Sequence, residues 1–145
     1  MAKCPIAFPA KHDGTATILI VDDEQGVIEA VCESLRDFGF SLITTTDPHH
    51  ALSIIRGQQP LALLITDLFM PSMNGARLLK ATRKLRPRLG AVVLTGIASE
   101  QELLKWRRRG EHIVAKPWPE DEFITTVTKA LAEPARKHGG FHAAN

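Results

Sequence analysis

Apolar residues fall along the chain in short runs, separated by longer stretches in which they recur every three or four positions. The runs are Ile18-Leu19-Ile20-Val21, Leu61-Ala62-Leu63-Leu64-Ile65, Ala91-Val92-Val93-Leu94 and Ile113-Val114-Ala115, with a β-branched stretch from Ser41 to Thr46 after the first. Unbroken apolarity closed by turn formers predicts strands buried on both faces. Helical spacing lies between them. Val27, Val31, Leu35 and Phe38 carry it up to a stop at Gly39; Ala51, Leu52, Ile54 and Ile55 follow an Asp47-Pro48 start and end at Gly57. Asn74 caps a third helix with Leu78, Leu79 and Leu85 on its apolar side, and Pro87 closes it. A fourth begins after Ser99, with only Leu103, Leu104 and Trp106 as a thin apolar stripe, and a fifth begins near Glu120 with Phe123, Val127 and Leu131 before Pro134.

Five alternations of strand and helix predict an α/β fold, a doubly wound parallel sheet with right-handed crossovers and helices on both faces. Ligands bind such sheets at the carboxyl ends of the strands, where the loops leave a crevice. The polar residues that end the runs should therefore converge: Asp22 and Asp23 after the first strand, Asp67 after the third, Thr95 after the fourth, Lys116 after the fifth. A helix cap with an acidic first turn accounts for only one member of the Asp22-Asp23 pair.

Three clustered carboxylates repel one another, at about 4 kcal/mol for a pair about 4 Å apart at an effective dielectric of about 20. A divalent cation relieves that repulsion, and Mg²⁺ suits one or two carboxylates together with a phosphate. Lys116 and Thr95 then suit a phosphoryl group, as a compact positive charge and a hydroxyl donor. Attack by Asp67 on phosphorus would give an acyl phosphate.

Composition adds bounds rather than a choice. The 145 residues are one domain's worth, 44% hydrophobic and 23% charged, which excludes a disordered or fibrous chain. Eighteen basic against 16 acidic residues leave a net charge of +2, too small by itself to indicate nucleic acid. Two cysteines exclude a disulfide scaffold, and Cys32 among apolar helix positions reads as a small hydrophobe. No apolar run approaches the roughly 18 residues of a membrane span, so no membrane partner and a cytoplasmic location are expected. Residues 1–16, with Pro5 and Pro9, read as a loose leader, 17–132 as the domain, and 133–145 as a polar flexible tail. Asp13-Gly14-Thr15 superficially resembles the haloacid-dehalogenase phosphatase signature, but no apolar strand precedes it and the first aspartate is missing.

From about residue 17 to 132 the chain resembles the receiver domain of two-component response regulators. The resemblance rests on Asp22-Asp23, on the stretch from Asp67 through Met70-Pro71 to Met73-Asn74-Gly75, on Thr95-Gly96 and on Lys116-Pro117. It implies a CheY-like, flavodoxin-like (βα)₅ fold with strand order 2-1-3-4-5, an order for which the chemotaxis receiver is itself a standard example. It implies further that Asp67 accepts a phosphoryl group from the phosphohistidine of a histidine kinase or phosphotransfer protein. Asp23, Asp67 and the backbone carbonyl of Phe69 would hold Mg²⁺, with Asp22 acting through water or by positioning. Thr95 would follow the phosphoryl oxygens and Lys116 would pair with them, and Lys116-Pro117 should be cis. Trp118 stands where Phe is usual.

Two positions depart from the family's pattern. Ile113 stands where a Tyr or Phe is usual, in a chain without tyrosine, so switching is expected to depend on the loop after Thr95 and on residues 99 to 109. Phe69 and Ile97, each two places beyond Asp67 or Thr95, are bulky and apolar where a polar group could orient a hydrolytic water; a slowly hydrolysing acyl phosphate is expected.

Fourteen residues follow Leu131, too few for a helix-turn-helix, so no DNA is expected as a partner. The chain is then either a stand-alone receiver signalling to an unknown output protein, with a homodimer among the allowed assemblies, or a receiver fragment of a larger regulator or hybrid kinase. The basic run Lys105, Arg107, Arg108 and Arg109 is either a solvated face or a seat for an acidic partner. Two other classes remain: an unphosphorylated receiver-like adaptor, and a phosphatase with Asp67 as nucleophile. The latter lacks a general acid at Phe69, so the chain is expected not to be a turnover enzyme.

Overall fold

The computed structural model describes residues 16–96 and 99–133. Its strands are β1 (Thr17–Val21), β2 (Ser41–Thr45), β3 (Leu63–Asp67), β4 (Gly90–Thr95) and β5 (His112–Ala115). They alternate with helices α1 (Gln25–Leu35), α2 (Pro48–Arg56), α3 (Gly75–Leu85), α4 (Glu100–Arg108) and α5 (Glu120–Ala132), with a short 3₁₀ turn at Arg36–Phe38 after α1. All strand pairs are parallel, in the order β2-β1-β3-β4-β5. The expected α/β fold and strand order are present.

The side-chain period of two divides the core between the faces of the sheet. Ile18, Ile20, Leu63, Ile65, Val92, Leu94 and Val114 meet α1 and α5 on one side. Leu19, Val21, Leu64, Ala91, Val93 and Ile113 meet α2 and α3 on the other. Central strands β1, β3 and β4 are buried throughout, which explains their unbroken apolar runs; edge strand β2 is half exposed and mixes Thr with Leu and Ile.

The helix starts follow their capping residues. Asp47 accepts from the His49 N–H (2.9 Å), Asn74 from the Arg77 N–H (2.8 Å) and Ser99 from the Glu102 N–H (3.2 Å). The apolar stripes differ in detail from the spacing. On α1, Ile28 rather than Val27 is buried beside Val31 and Leu35; on α5, Ile124 and Ala130 are buried with Phe123 and Val127, and Leu131 only in part. Leu85 and Leu104 are exposed, at 44% and 46%. Each lies on a helix that packs on only one side, α3 through Leu78, Leu79 and Thr82 and α4 without a single buried residue. Cys32 is half-buried against the first core cluster, and burial followed by the charge of Glu29 pushes its thiol pKa up, away from reactivity. The expected leader and tail, with Asp13-Gly14-Thr15 and Pro134, lie outside the described residues apart from Ala16 and Glu133.

Candidate functional site

Strand register brings the strand-end residues together. Val21 pairs with Thr66, so Asp22 leaves the sheet beside Asp67, and Asp67 pairs with Leu94, one residue before Thr95. Thr95 pairs with Ala115, and the Lys116 N–H donates to the Thr95 carbonyl (2.7 Å). Order β2-β1-β3 makes the β1/β3 junction the topological switch point, where crossovers to either side leave the sheet edge open.

Carboxylate oxygens of Asp22, Asp23 and Asp67 lie within 4.8 Å of one another. Asp22 is fully buried, Asp67 is 5% exposed and Asp23 is exposed. One Asp22 oxygen accepts the Glu24 N–H (2.9 Å), which fixes its orientation; the other takes the Lys116 ammonium at 2.9 Å, and the same ammonium lies 3.1 Å from Asp67. Lys116-Pro117 is cis, as expected. Three carboxylates and one ammonium leave a formal charge of −2. Oxygen donors with that charge fit Mg²⁺, and Asp23 keeps a side open for water or phosphate.

Burial raises the Asp67 pKa above the ordinary carboxylate value and the charge of Asp22 adds to it, against the lowering hydrogen bond and charge of Lys116. Burial alone would lower the Lys116 pKa, but its hydrogen bonds and ion pairs with Asp22 and Asp67 together raise it. The two shifts have different causes: burial outweighs the lysine at Asp67, whereas at Lys116 the two acids that share the ammonium outweigh burial.

The Asp67 shift has a consequence for stability. With the folded pKa above the unfolded one, the native state holds the proton more tightly, so stability falls as pH rises through 3.8 to the folded value. Above that window the full penalty is present. Asp67→Asn should therefore raise the metal-free melting temperature at pH 7, by roughly 2–6 °C for about 1 kcal/mol. Differential scanning calorimetry checks this; the gain should vanish below pH 3.8, where the carboxyl is protonated in both states.

The loop after Asp67 is held from both sides. The Leu68 N–H donates to Leu94 on β4 (2.8 Å), and the Leu68 carbonyl accepts the Gly75 N–H at the start of α3 (2.6 Å). Between these ties, the backbone N–H and C=O of Phe69 have no hydrogen-bond partner among the described residues, which leaves that carbonyl available as a ligand. Gly75 is a residue the spacing alone marked only as part of a turn. A Cβ there would overlap the Asp67 carbonyl oxygen and approach Leu68 Cα to 2.8 Å. The signal was the Asn-Gly pair itself, since glycine is required where backbone meets backbone. Ile97, expected to help shield the site, lies outside the described residues.

A sequence model described as the response regulator receiver domain matches residues 18–128. Over 116 residues the chain is 31% identical to the probable transcriptional regulatory protein TcrX of Mycobacterium tuberculosis, covering 79% of this chain and 49% of that one. It is 28% identical over 121 residues to the hydrogenase transcriptional regulatory protein HoxA of Cupriavidus necator, covering 82% and 25%. Chemotaxis protein CheY4 of Vibrio cholerae superposes with a TM-score of 0.69 at 25% identity, covering 81% of this chain and 99% of that structure. The chain thus spans about half of one regulator and a quarter of the other.

Proposed function

The chain belongs to the response regulator receiver domain family, a family of two-component signalling domains, and from that membership we propose that Asp67 accepts a phosphoryl group from a phosphohistidine. The observation that supports this most is the Lys116 ammonium shared between Asp22 and Asp67, at 2.9 and 3.1 Å, beside the open Asp23.

In this reading an Asp67 carboxylate oxygen forms the new O–P bond as the N–P bond of the donor imidazole breaks, and the imidazole nitrogen keeps the electron pair. Asp67 then carries an acyl phosphate, with the negative charge on the phosphoryl oxygens rather than on the carboxylate, so Lys116 leaves the Asp67 oxygen for a phosphoryl oxygen while Asp22 keeps the lysine in place. Thr95, at the end of β4, donates its hydroxyl to a second oxygen. Bound Mg²⁺, held by Asp23, Asp67 and the Phe69 carbonyl with Asp22 acting through water or by positioning, would supply positive charge to the transferring group. Once phosphorylated, the domain signals by a conformational change to a protein partner.

The partners in this reading are a histidine kinase or phosphotransfer protein and an output protein, in the cytoplasm. No helix among the described residues is long and apolar enough to cross a membrane. Because the named regulators are transcriptional and longer than this chain, the fragment reading carries DNA as a target of a further domain; the domain described here works through protein contacts. Lys105, Arg107 and Arg108 are exposed on α4 and suit an acidic partner, while the Arg109 guanidinium lies over the Trp106 ring (5.7 Å).

Transfer of label from an autophosphorylated histidine kinase tests the reading. Label should move to this chain and be released by hydroxylamine, as an acyl phosphate is. Label that resists hydroxylamine, or steady phosphate release from small esters in excess over protein, would contradict it.

Lifetime follows from Phe69. Its side chain is apolar and 54% exposed beside the acceptor, so it orients no water for attack on phosphorus. Phe69→Asn should shorten the phosphoryl half-life by roughly tenfold, less than the ~10²–10⁴ of a full general base because an amide orients the water without taking its proton, as read by decay of the phosphorylated mass. A wild type that decays as fast as the variant would show that the lack of a water-orienting group at this position plays no part.

A further inference from the structure

A cavity of about 240 Å³ lies between the loop after β3, α4 and β5. Leu68, Phe69, Ala76, Trp106 and Ile113 make its apolar wall, and Asn74 and Glu102 complete the lining. At about 30 Å³ of liquid volume per water the space has room for an aromatic ring, which the apolar wall suits and for which it offers water no hydrogen-bond partner on that side.

Phe69 lies at the mouth of this cavity. Leu68 and Met70 on either side are 8% and 6% exposed, yet Phe69 is 54% exposed. Its peptide groups are unpartnered among the described residues, whereas Leu68 is tied through both its N–H and its carbonyl. The residue can therefore turn without breaking a hydrogen bond. Across the cavity, α4 gives little resistance: none of its residues is buried, and only Leu103 and Trp106 pack against the core. Ile113 leaves the inner end without a ring of its own.

We propose that Phe69 is a gate, its ring turned outward in the resting chain and seated between Trp106 and Ile113 when Asp67 carries a phosphoryl group. The inference rests on the acceptor reading above, because the drive comes from that site. Occupation of Asp67 engages the Phe69 backbone and reorients it, and the ring then leaves water for an apolar slot beside an indole, at the 4.5–7 Å centroid spacing that aromatic pairs prefer. The change is delivered to α4, the helix that bears the basic run.

Trp106 reports on its own cover. In the full chain with Trp118→Phe, it is the remaining tryptophan of two. Beryllium fluoride with Mg²⁺ serves as a stable phosphoryl mimic, its binding read by ¹⁹F NMR and Trp106 accessibility by acrylamide quenching. On binding, the quenching constant should fall by about half as the ring covers the indole. Ile113→Phe fills the cavity in advance; it should bind fluoride and show no such fall. Phe69→Ala, compared at its own saturation, should show none either. Bound fluoride with unchanged quenching in the parent, or an equal fall in Phe69→Ala, overturns the gate alone. No bound fluoride in the parent overturns the acceptor reading and the gate with it.

Discussion

Replacing Gly75 by alanine should lower the melting temperature by roughly 10 °C, corresponding to about 3 kcal/mol at this chain length. The added methyl meets backbone rather than flexible side chain: the carbonyl of Asp67 and Leu68 Cα. Nothing there yields cheaply, because Leu68 is bonded both to β4 and to Gly75 itself. Relief requires α3 to withdraw or the end of β3 to shift, and either moves the Asp67 carboxylate relative to Lys116. Phosphoryl acceptance should fall along with stability. Gly26→Ala is the natural control. It lies in α1 with nothing within 4 Å of the new methyl, and should stabilise by about 0.5–1 kcal/mol, the helical advantage of alanine over glycine. Equal melting temperatures for the two variants would show that the Gly75 contact has no structural role.

Removing Lys116 should slow the chemistry severely while leaving the acceptor carboxylate in place. Lys116→Ala strips the shared cation from a fully buried Asp22 and a nearly buried Asp67. Leaving a buried charge unpaired costs about 3–5 kcal/mol, toward the lower end here because the lysine side chain is 15% exposed. Both lowering influences of Lys116 on the Asp67 pKa disappear, so the carboxylate is protonated over a wider pH range. Loss of a charge that stabilises the transferring group slows such a step by about 10²–10³. The rate of mass gain from acetyl phosphate, measured at saturating Mg²⁺, should fall by that factor. A rate within severalfold of wild type would separate Lys116 from the chemistry.

Much of this site was legible because strand ends are punctuated. In Ile20-Val21-Asp22-Asp23, Ile65-Thr66-Asp67, Leu94-Thr95-Gly96 and Ala115-Lys116-Pro117, an apolar run stops at a polar residue, and parallel topology carries every such stop to one edge. The helix faces were less legible. Spacing of three or four does not say which neighbouring stripe faces the sheet, so Val27 stood in for Ile28 and Leu131 for Ala130. The exposure of Leu85 and Leu104 has the same origin: an apolar residue at helical spacing is buried only where another element covers it. Partner choice within the site was beyond the sequence as well. Lys116 was assigned to phosphoryl oxygens, and its closer tie to Asp22 depends on side-chain reach across two strands. The slot between Phe69, Trp106 and Ile113 depends on packing across three elements, though the missing ring at Ile113 was its sequence trace.

Intact-mass analysis after acetyl phosphate tests the central claim most directly, run with Mg²⁺ and with chelator, on the wild type and on Asp67→Asn. One added phosphoryl group that requires Mg²⁺ and is absent from the variant is the result this account predicts. A folded wild type that gains none, with a phosphorylated histidine kinase tried as a second donor, or an Asp67→Asn variant that still gains one, would contradict it.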